Sequence, residues 1–502
     1  MAAAADAIPA GHSVPQIGLV TVRPRPGETL HQLAQRLRAE PGVASVQPEA
    51  RFAYRDTPDD PAINDPETAL NTPAGTTEEW WAARENLPGA WDITHGTGAL
   101  VAVIDSGVDG THPELAGRIK ATIDLDDTPG DGPPTTDEQG HGTHVAGLAC
   151  AIAGNGIGIA GAGYGCSLLV IKSDLSDSSV AAAITAAVDH GADAINMSFG
   201  EDGRAQAPQS EVRAIQYAYA HNVVMAAAAA DSPVTEQGDP ANTLQPTGTG
   251  QTLASGLGLS VTAADFDDKR ASFAGFGSQI SIAAYGAFHY GAIPPSGPSG
   301  ILSTFPAQQT QIDTGPPPCN CRATISGSNS YAYLSGTSMA TPMVTAVAAL
   351  IRHVNPRLRA ADVIRIIEQT ATRPAGSGWN QDLGWGILNA AAALQAAQGI
   401  DRTPPTSRLT APSRVRAGRT FTLRWTGHDP APAGLKASGI ARFEVWRSVN
   451  GHAARRIAST ARHSLRLKAR AGSRYAFFTI AVDKAGNRQR RPKHPQARTR
   501  VL

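Results

Sequence analysis

Cysteine is scarce in this chain, at 4 of 502 residues. So sparse a set excludes a disulfide-held mini-domain, and the fold must rest on apolar burial. No apolar run approaches the roughly 18 residues that a membrane span needs. The opening Met1-Ala-Ala-Ala-Ala-Asp6 lacks the apolar core of a signal peptide. Its alanine run fits the remnant of a signal cleavage site behind a new Met. Net charge is also absent: 43 Lys and Arg balance 43 Asp and Glu. That zero hides an asymmetry. From Asp401 onward there are 23 basic residues against 4 acidic ones, leaving 20 against 39 in residues 1–400. An acidic body and a basic tail must differ in their partners.

The length is too great for one core, so two or three domains are expected. Cys150 and Cys166 lie within one predicted helix–loop–strand unit and could pair. Cys319 and Cys321 are one residue apart, and a bond between them is expected to be strained. A metal site is the alternative there, but one Cys-x-Cys without neighbouring ligands argues against it.

The chain then divides by pattern. Residues 1–15 are expected to lack structure. Residues 16–57 read strand, helix, strand: Ile17 to Val22, a helix over Glu28 to Ala39 with Leu30, Leu33, Ala34 and Leu37 at helical spacing, then Val43 to Tyr54. Residues 58–80 read as a linker. Residues 81–398 alternate strands (Leu100 to Ile104, Leu168 to Ile171, Ala194 to Met197, Val223 to Met225) with helices (Val180 to Val188, Val212 to Ala220). This is the pattern of an α/β fold, a parallel sheet with helices on both faces. Residues 399–407 read as a second linker. In residues 408–502, Phe421 to Trp425, Ala441 to Trp446 and Tyr475 to Val482 alternate like the strands of an all-β sandwich.

Three segments carry chemistry. Val101-Ala-Val-Ile-Asp105 ends a predicted strand on a carboxylate. Gly140-His141-Gly-Thr-His144-Val-Ala-Gly147 opens a helix on an imidazole. Gly336-Thr-Ser338-Met-Ala-Thr-Pro342 opens another on a hydroxyl. Taken singly, each has an ordinary reading: a polar strand end, a helix-face histidine, an N-cap. Together they supply a nucleophile, a base and an acid to orient the base.

In their order Asp, His, Ser, these segments resemble the subtilisin-like serine protease (subtilase) family over roughly residues 75 to 398. The resemblance implies a subtilisin-like sheet preceded by a small α+β propeptide and followed by a fibronectin- or immunoglobulin-like sandwich. It implies a serine endopeptidase that forms an acyl-enzyme with Asp105, His141 and Ser338. It implies a zymogen cleaved near Tyr54 or Arg55, with the propeptide as inhibitor, and export to the medium or cell surface. His144 is then expected to be structural. Ser198-Phe199-Gly200 stands where relatives pair with extended protein or peptide substrates. The basic tail could hold anionic polymer or a cell surface.

The chain departs from the family pattern at two places. Where relatives carry an oxyanion Asn, the run Val223 to Ala230 continues into Asp231. An ionised Asp cannot donate to an oxyanion, whereas a protonated one can. Activity favouring acidic pH is therefore expected, or slow turnover resting on the Ser338 backbone N–H. The alternative is a catalytically weakened subtilase that acts as a binding or scaffold protein through its basic domain. Ala153 to Ile159 resembles the family's calcium loop, which implies structural Ca²⁺ at Asn155; Glu114 stands where relatives usually place Asp. No cofactor is required for the chemistry. Two inserted stretches, 288–300 and 308–330, are expected to shape access to the site.

Overall fold

The structure, a computed structural model, describes residues 8–9, 18–25, 28–46, 57–201, 203, 207–288, 298–374, 376–399, 401, 403–430 and 437–502. Contacts divide the chain into two units, Met1–Arg55 and Asp56–Leu502.

In the first unit a helix spans Leu30–Arg38. Thr29 and Gln32 close a capping box at its start, and Leu33 packs on Val22 and Leu37. Within the stretch expected to lack structure, Ile8–Pro9 pair antiparallel with Val22–Arg23. The expected strands are reduced accordingly: among the described residues the first keeps Val22–Arg23 and a single bridged residue, Leu19, and residues 43–46 form no strand. The remainder of that second strand lies outside the described residues, as do Tyr54 and Arg55.

The second unit is built on seven strands: β1 (Leu100–Asp105), β2 (Ile119–Leu125), β3 (Ser167–Ser173), β4 (Ala194–Met197), β5 (Val224–Ala228), β6 (Leu259–Ala264) and β7 (Ile282–Tyr285). They are parallel throughout, in the order β2-β3-β1-β4-β5-β6-β7. Every residue of β1 is buried, as a strand covered on both faces requires. Val101 and Val103 point into a core shared with helices α1 (His141–Cys150) and α4 (Thr337–Val354). Leu100, Ala102 and Ile104 point the other way, onto α2 (Asp177–Asp189) and α3 (Gln209–Ala220). The sheet reverses its order at β1, so a crevice opens beyond the carboxyl ends of β1 and its neighbours.

Residues 58–80 are not a linker. Asp60, Ala62, Leu70 and Trp80 are buried. Asp60 accepts hydrogen bonds from Gly154 N at 2.7 Å and Asn155 N at 3.1 Å. Apolar burial and this carboxylate cap bind the segment to the body.

The C-terminal part is a sandwich of a three-stranded and a five-stranded sheet, with Phe421, Trp425, Phe443, Val445 and Phe477 between them. Its first strand begins at Thr406, two residues earlier than expected. Residues 399–407 are fixed rather than free. Asp401 accepts from Ser438 N at 2.8 Å, Asn487 Nδ2 donates to the Asp401 carbonyl at 2.9 Å, and Arg357 bonds to Thr403.

Both cysteine pairs are joined, Cys150–Cys166 and Cys319–Cys321. The second joins the neighbours whose bond was expected to be strained; their Cα atoms lie 5.2 Å apart, inside the disulfide range.

Glu85 and Glu368 are buried in the body, and burial pushes each carboxyl up to about 8. One oxygen of each lacks a hydrogen bond among the described residues. A carboxyl whose pKa rises on folding stabilises fully below its unfolded value, near 4.5, and loses that contribution as pH climbs through the folded value. Glu85→Gln should therefore raise the melting temperature at pH 9, by about 2 °C or more, and not at pH 4.5. Thermal denaturation at both pH values checks this, and an equal shift at both would refute it.

Candidate active site

Asp105 is the last residue of β1, and His141 is the first of α1. The Asp105 Oδ1 atom lies 2.8 Å from His141 Nδ1 and also accepts the Ser106 N–H at 2.8 Å. The close approach of helix to strand end depends on Gly142. A Cβ there would stand 2.0 Å from the Gly107 carbonyl oxygen. Asp137 holds the helix start from below: it accepts from Gly140 N, Thr143 N and the Ser106 and Thr143 hydroxyls at 2.6–2.9 Å. Sequence reasoning missed Asp137. Its signal was an acidic residue just ahead of a helix, where orphan N–H groups gather.

Burial alone would discourage a charged His141 ring. The Asp105 charge and hydrogen bond, helped by Asp137 and Asp231, outweigh that and hold its pKa above the ordinary histidine value. His144, one turn on, is fully buried with Nε2 3.1 Å from Ile301 O and 3.0 Å from Ala332 O. Burial pushes its pKa down to about 3, so it is a neutral tie between α1 and the paired strands Ile301–Thr304 and Ser328–Leu334.

Ser338 is the second residue of α4, where backbone N–H groups have no partner inside the helix. Its hydroxyl donates to the Ser198 carbonyl at 2.9 Å and makes no hydrogen bond to His141. Such contacts are often loose before substrate binds. Pro342 sits four residues on and has no N–H, so the Ser338 carbonyl loses its helical donor. Ser198 Oγ supplies the bond instead, at 2.8 Å. Asn196 donates to that hydroxyl at 2.9 Å and accepts from Thr345 at 3.0 Å. A polar chain from β4 thus fixes the turn that bears Ser338; neither Asn196 nor this use of the Ser198 side chain was legible from spacing. Phe199 is half-buried and Gly200 exposed beside it, leaving an open edge.

Asp231 is exposed and follows β5. Its Oδ1 accepts from Thr337 N at 2.8 Å and lies 2.9 Å from the Thr337 hydroxyl, which also stands 2.6 Å from the Ala229 carbonyl. It therefore caps α4 beside Ser338.

Glu114 and Asn155 do meet, but as hydrogen-bonding partners. Asn155 Nδ2 donates to Glu114 Oε2 at 3.0 Å, while Ile159 N and the Tyr331 hydroxyl donate to Oε1 at 3.1 and 3.2 Å. Asn155 Oδ1 is taken by Ile157 N. Oxygens already facing donors do not form a calcium cage, so this arrangement does not fit the ion. The insertion at 308–330 reaches the site: Gln311 N donates to the Glu138 carbonyl at 2.8 Å, ahead of His141. Most of the 288–300 stretch lies outside the described residues.

The profile described as the subtilase family matches residues 96–386. Thermitase of Thermoactinomyces vulgaris is 32% identical over 335 residues, covering 65% of this chain and 99% of that protein. Fervidolysin of Fervidobacterium pennivorans is 30% identical, covering 76% of this chain and 54% of its own length. An extracellular protease of Xanthomonas campestris is 28% identical, covering 73% and 61%. A solved structure described as proteases from Pseudoalteromonas arctica superposes with a TM-score of 0.53 at 28% identity, covering 66% of this chain and all of that one.

Two outcomes follow from the geometry. Ser198→Ala should cost about 1 kcal/mol of stability or more, because it removes the donor to the half-buried Ser338 carbonyl; thermal unfolding reads this, and an unchanged melting temperature would refute the buttress. If Glu114 and Asn155 hold no ion, any change of melting temperature on chelation with EDTA should be the same in Glu114→Gln as in the parent chain, and a calcium-reversible fall that Glu114→Gln abolishes would restore the ion there.

Proposed function

The chain belongs to the subtilase family and is a subtilisin-like serine endopeptidase, and from that premise we propose that Asp105, His141 and Ser338 are its catalytic triad. The observation that carries this is the Asp105–His141 contact at 2.8 Å on the rim where Ser338 begins α4. Asp105 holds a proton on Nδ1 and so leaves Nε2 free to accept. His141 takes the Ser338 proton as Oγ attacks the scissile carbonyl, then returns it to the leaving amine. Water, activated by the same imidazole, releases the acyl group. The helix start offers the Ser338 N–H to the oxyanion. The edge at Ser198, Phe199 and Gly200 would pair with the acyl half of the substrate.

Asp231 leaves this oxyanion site short of one donor. Removing such a donor from a subtilisin costs about 10²–10³ in kcat, so turnover rests more heavily on Ser338 N–H. The pH dependence follows from His141, which must be neutral to act as a base. Its raised pKa puts the rising limb of kcat/KM above the ordinary value of 6.5.

Residues 16–57 are proposed to be an inhibitory propeptide removed near Tyr54 or Arg55. Secretion or association with the cell surface is proposed, with the relative described as an extracellular protease in support; among the described residues no helix is long and apolar enough to cross a membrane. The basic sandwich is proposed to hold anionic polymer. A cleft of about 480 Å³ there is lined by His452, Arg491, Lys493 and His494 beside Phe478.

Peptide hydrolysis across a pH series tests the reading, with Ser338→Ala as the blank. Asp231→Asn should raise kcat by about 10-fold or more and move the rising limb to lower pH, since one of the carboxylates that favour the imidazolium is gone. Activity that rises toward acid, and loses that rise in Asp231→Asn, would instead make Asp231 a protonated donor. The absence of Ser338-dependent hydrolysis and of self-processing would leave the binding-protein alternative.

A further inference from the structure

Beside the proposed triad lies a cleft of about 340 Å³ whose lining includes Asp105, His141, Ser198 and Phe199. Its remaining walls carry Asp126, Asp131, Glu138 and Asp174. Topology gathers these carboxylates. Asp126 and Asp174 follow the last residues of β2 and β3, two strands that end on the same rim as β1. Asp131 and Glu138 belong to the segment that leads from β2 to His141.

Only one cation compensates them among the described residues. Lys172 Nζ lies 2.6 Å from Glu138 Oε2 and 3.1 Å from the Gly132 carbonyl. Its side chain is 1% exposed, so this ammonium is spent beneath the wall rather than offered to the cleft. Asp131 and Asp174 are exposed, and Asp126 is half-buried. The cleft also has apolar surface. Leu175, 43% exposed, and the half-buried Phe199 both line it. Carboxylates beside apolar side chains suit a long aliphatic stem that ends in a cation. Like charges lining a cleft concentrate their field there, attract a cation and repel an anion.

We infer that this cleft selects protein and peptide substrates with an arginine or lysine shortly before the scissile bond. The inference rests on the protease reading above, because the acyl half of the chain is what runs past Ser198 and Phe199. Arginine should do at least as well as lysine, since its planar fork can bridge two carboxylates.

The test is a set of fluorogenic peptides that differ only in the four positions before the cleaved bond, with Arg, Lys, norleucine or Glu placed at each in turn. The full chain is used after self-processing, with Ser338→Ala as the blank. At one or more positions kcat/KM should rank Arg and Lys above norleucine and norleucine above Glu. About 10-fold or more should separate Arg from Glu at low salt, and the gap should narrow at 0.5 M NaCl. In the double variant Asp126→Asn, Asp174→Asn the ratio of the Arg to the norleucine peptide should fall several-fold. Equal Ser338-dependent rates for Arg, norleucine and Glu peptides would overturn the inference and leave the protease reading standing, as would a ratio unchanged in the double variant. No Ser338-dependent hydrolysis of any peptide would overturn the protease reading, and the inference with it.

Discussion

The site depends on one missing hydrogen. Pro342 cannot donate to the Ser338 carbonyl, and a buried carbonyl without a donor is costly. The Ser198 hydroxyl fills that place at 2.8 Å and is itself held by Asn196. Strand β4 and helix α4 are thereby tied at the residue proposed to carry the chemistry. The tie also places the outer end of β4, where substrate is expected to lie, at a fixed offset from Ser338. Close packing at Gly142 does the same for His141 against Asp105. The three groups sit on three separate elements, yet each has little freedom to drift.

Charge is arranged on this frame with equal economy. Asp105, Asp137 and Asp231 all favour the imidazolium form of His141, although only Asp105 touches it. Asp231 also caps the helix that bears Ser338, so one side chain affects His141, that helix and the proposed oxyanion site. The acids of the neighbouring cleft extend the same sign outward along the rim. An acidic catalytic body joined to a basic sandwich is the large-scale form of this distribution.

Much of this was legible in the sequence. The apolar runs ending at Asp105 and Met197 marked buried parallel strands, and the order of Asp105, His141 and Ser338 marked the family, because backbone burial and reaction chemistry both leave local signatures. The misses share a cause. Residues 58–80 look polar and punctuated, yet Asp60 finds its partners 94 and 95 positions away. Asn196 and Ser198 look like an ordinary strand end until α4 arrives 140 residues later. The Glu114 and Asn155 pair matches a metal-loop spacing, but spacing does not say that Tyr331 and Ile159 will donate to the same carboxylate. Partners distant in sequence decide such positions, and one-dimensional pattern cannot name them.

The joint at residues 399–407 has a consequence for how such enzymes are assembled from parts. Asp401 is buried against Ser438 and Asn487, and Thr403 takes a bond from Arg357 of the catalytic body. The sandwich is therefore held on a bracket and not on a leash. Cutting the chain there would orphan polar groups on both stumps, and splicing another module onto it would have to supply the same donors. Recombination that exchanges tails would succeed only with neighbours bearing a matching socket, so this tail and this body are expected to be inherited as a pair.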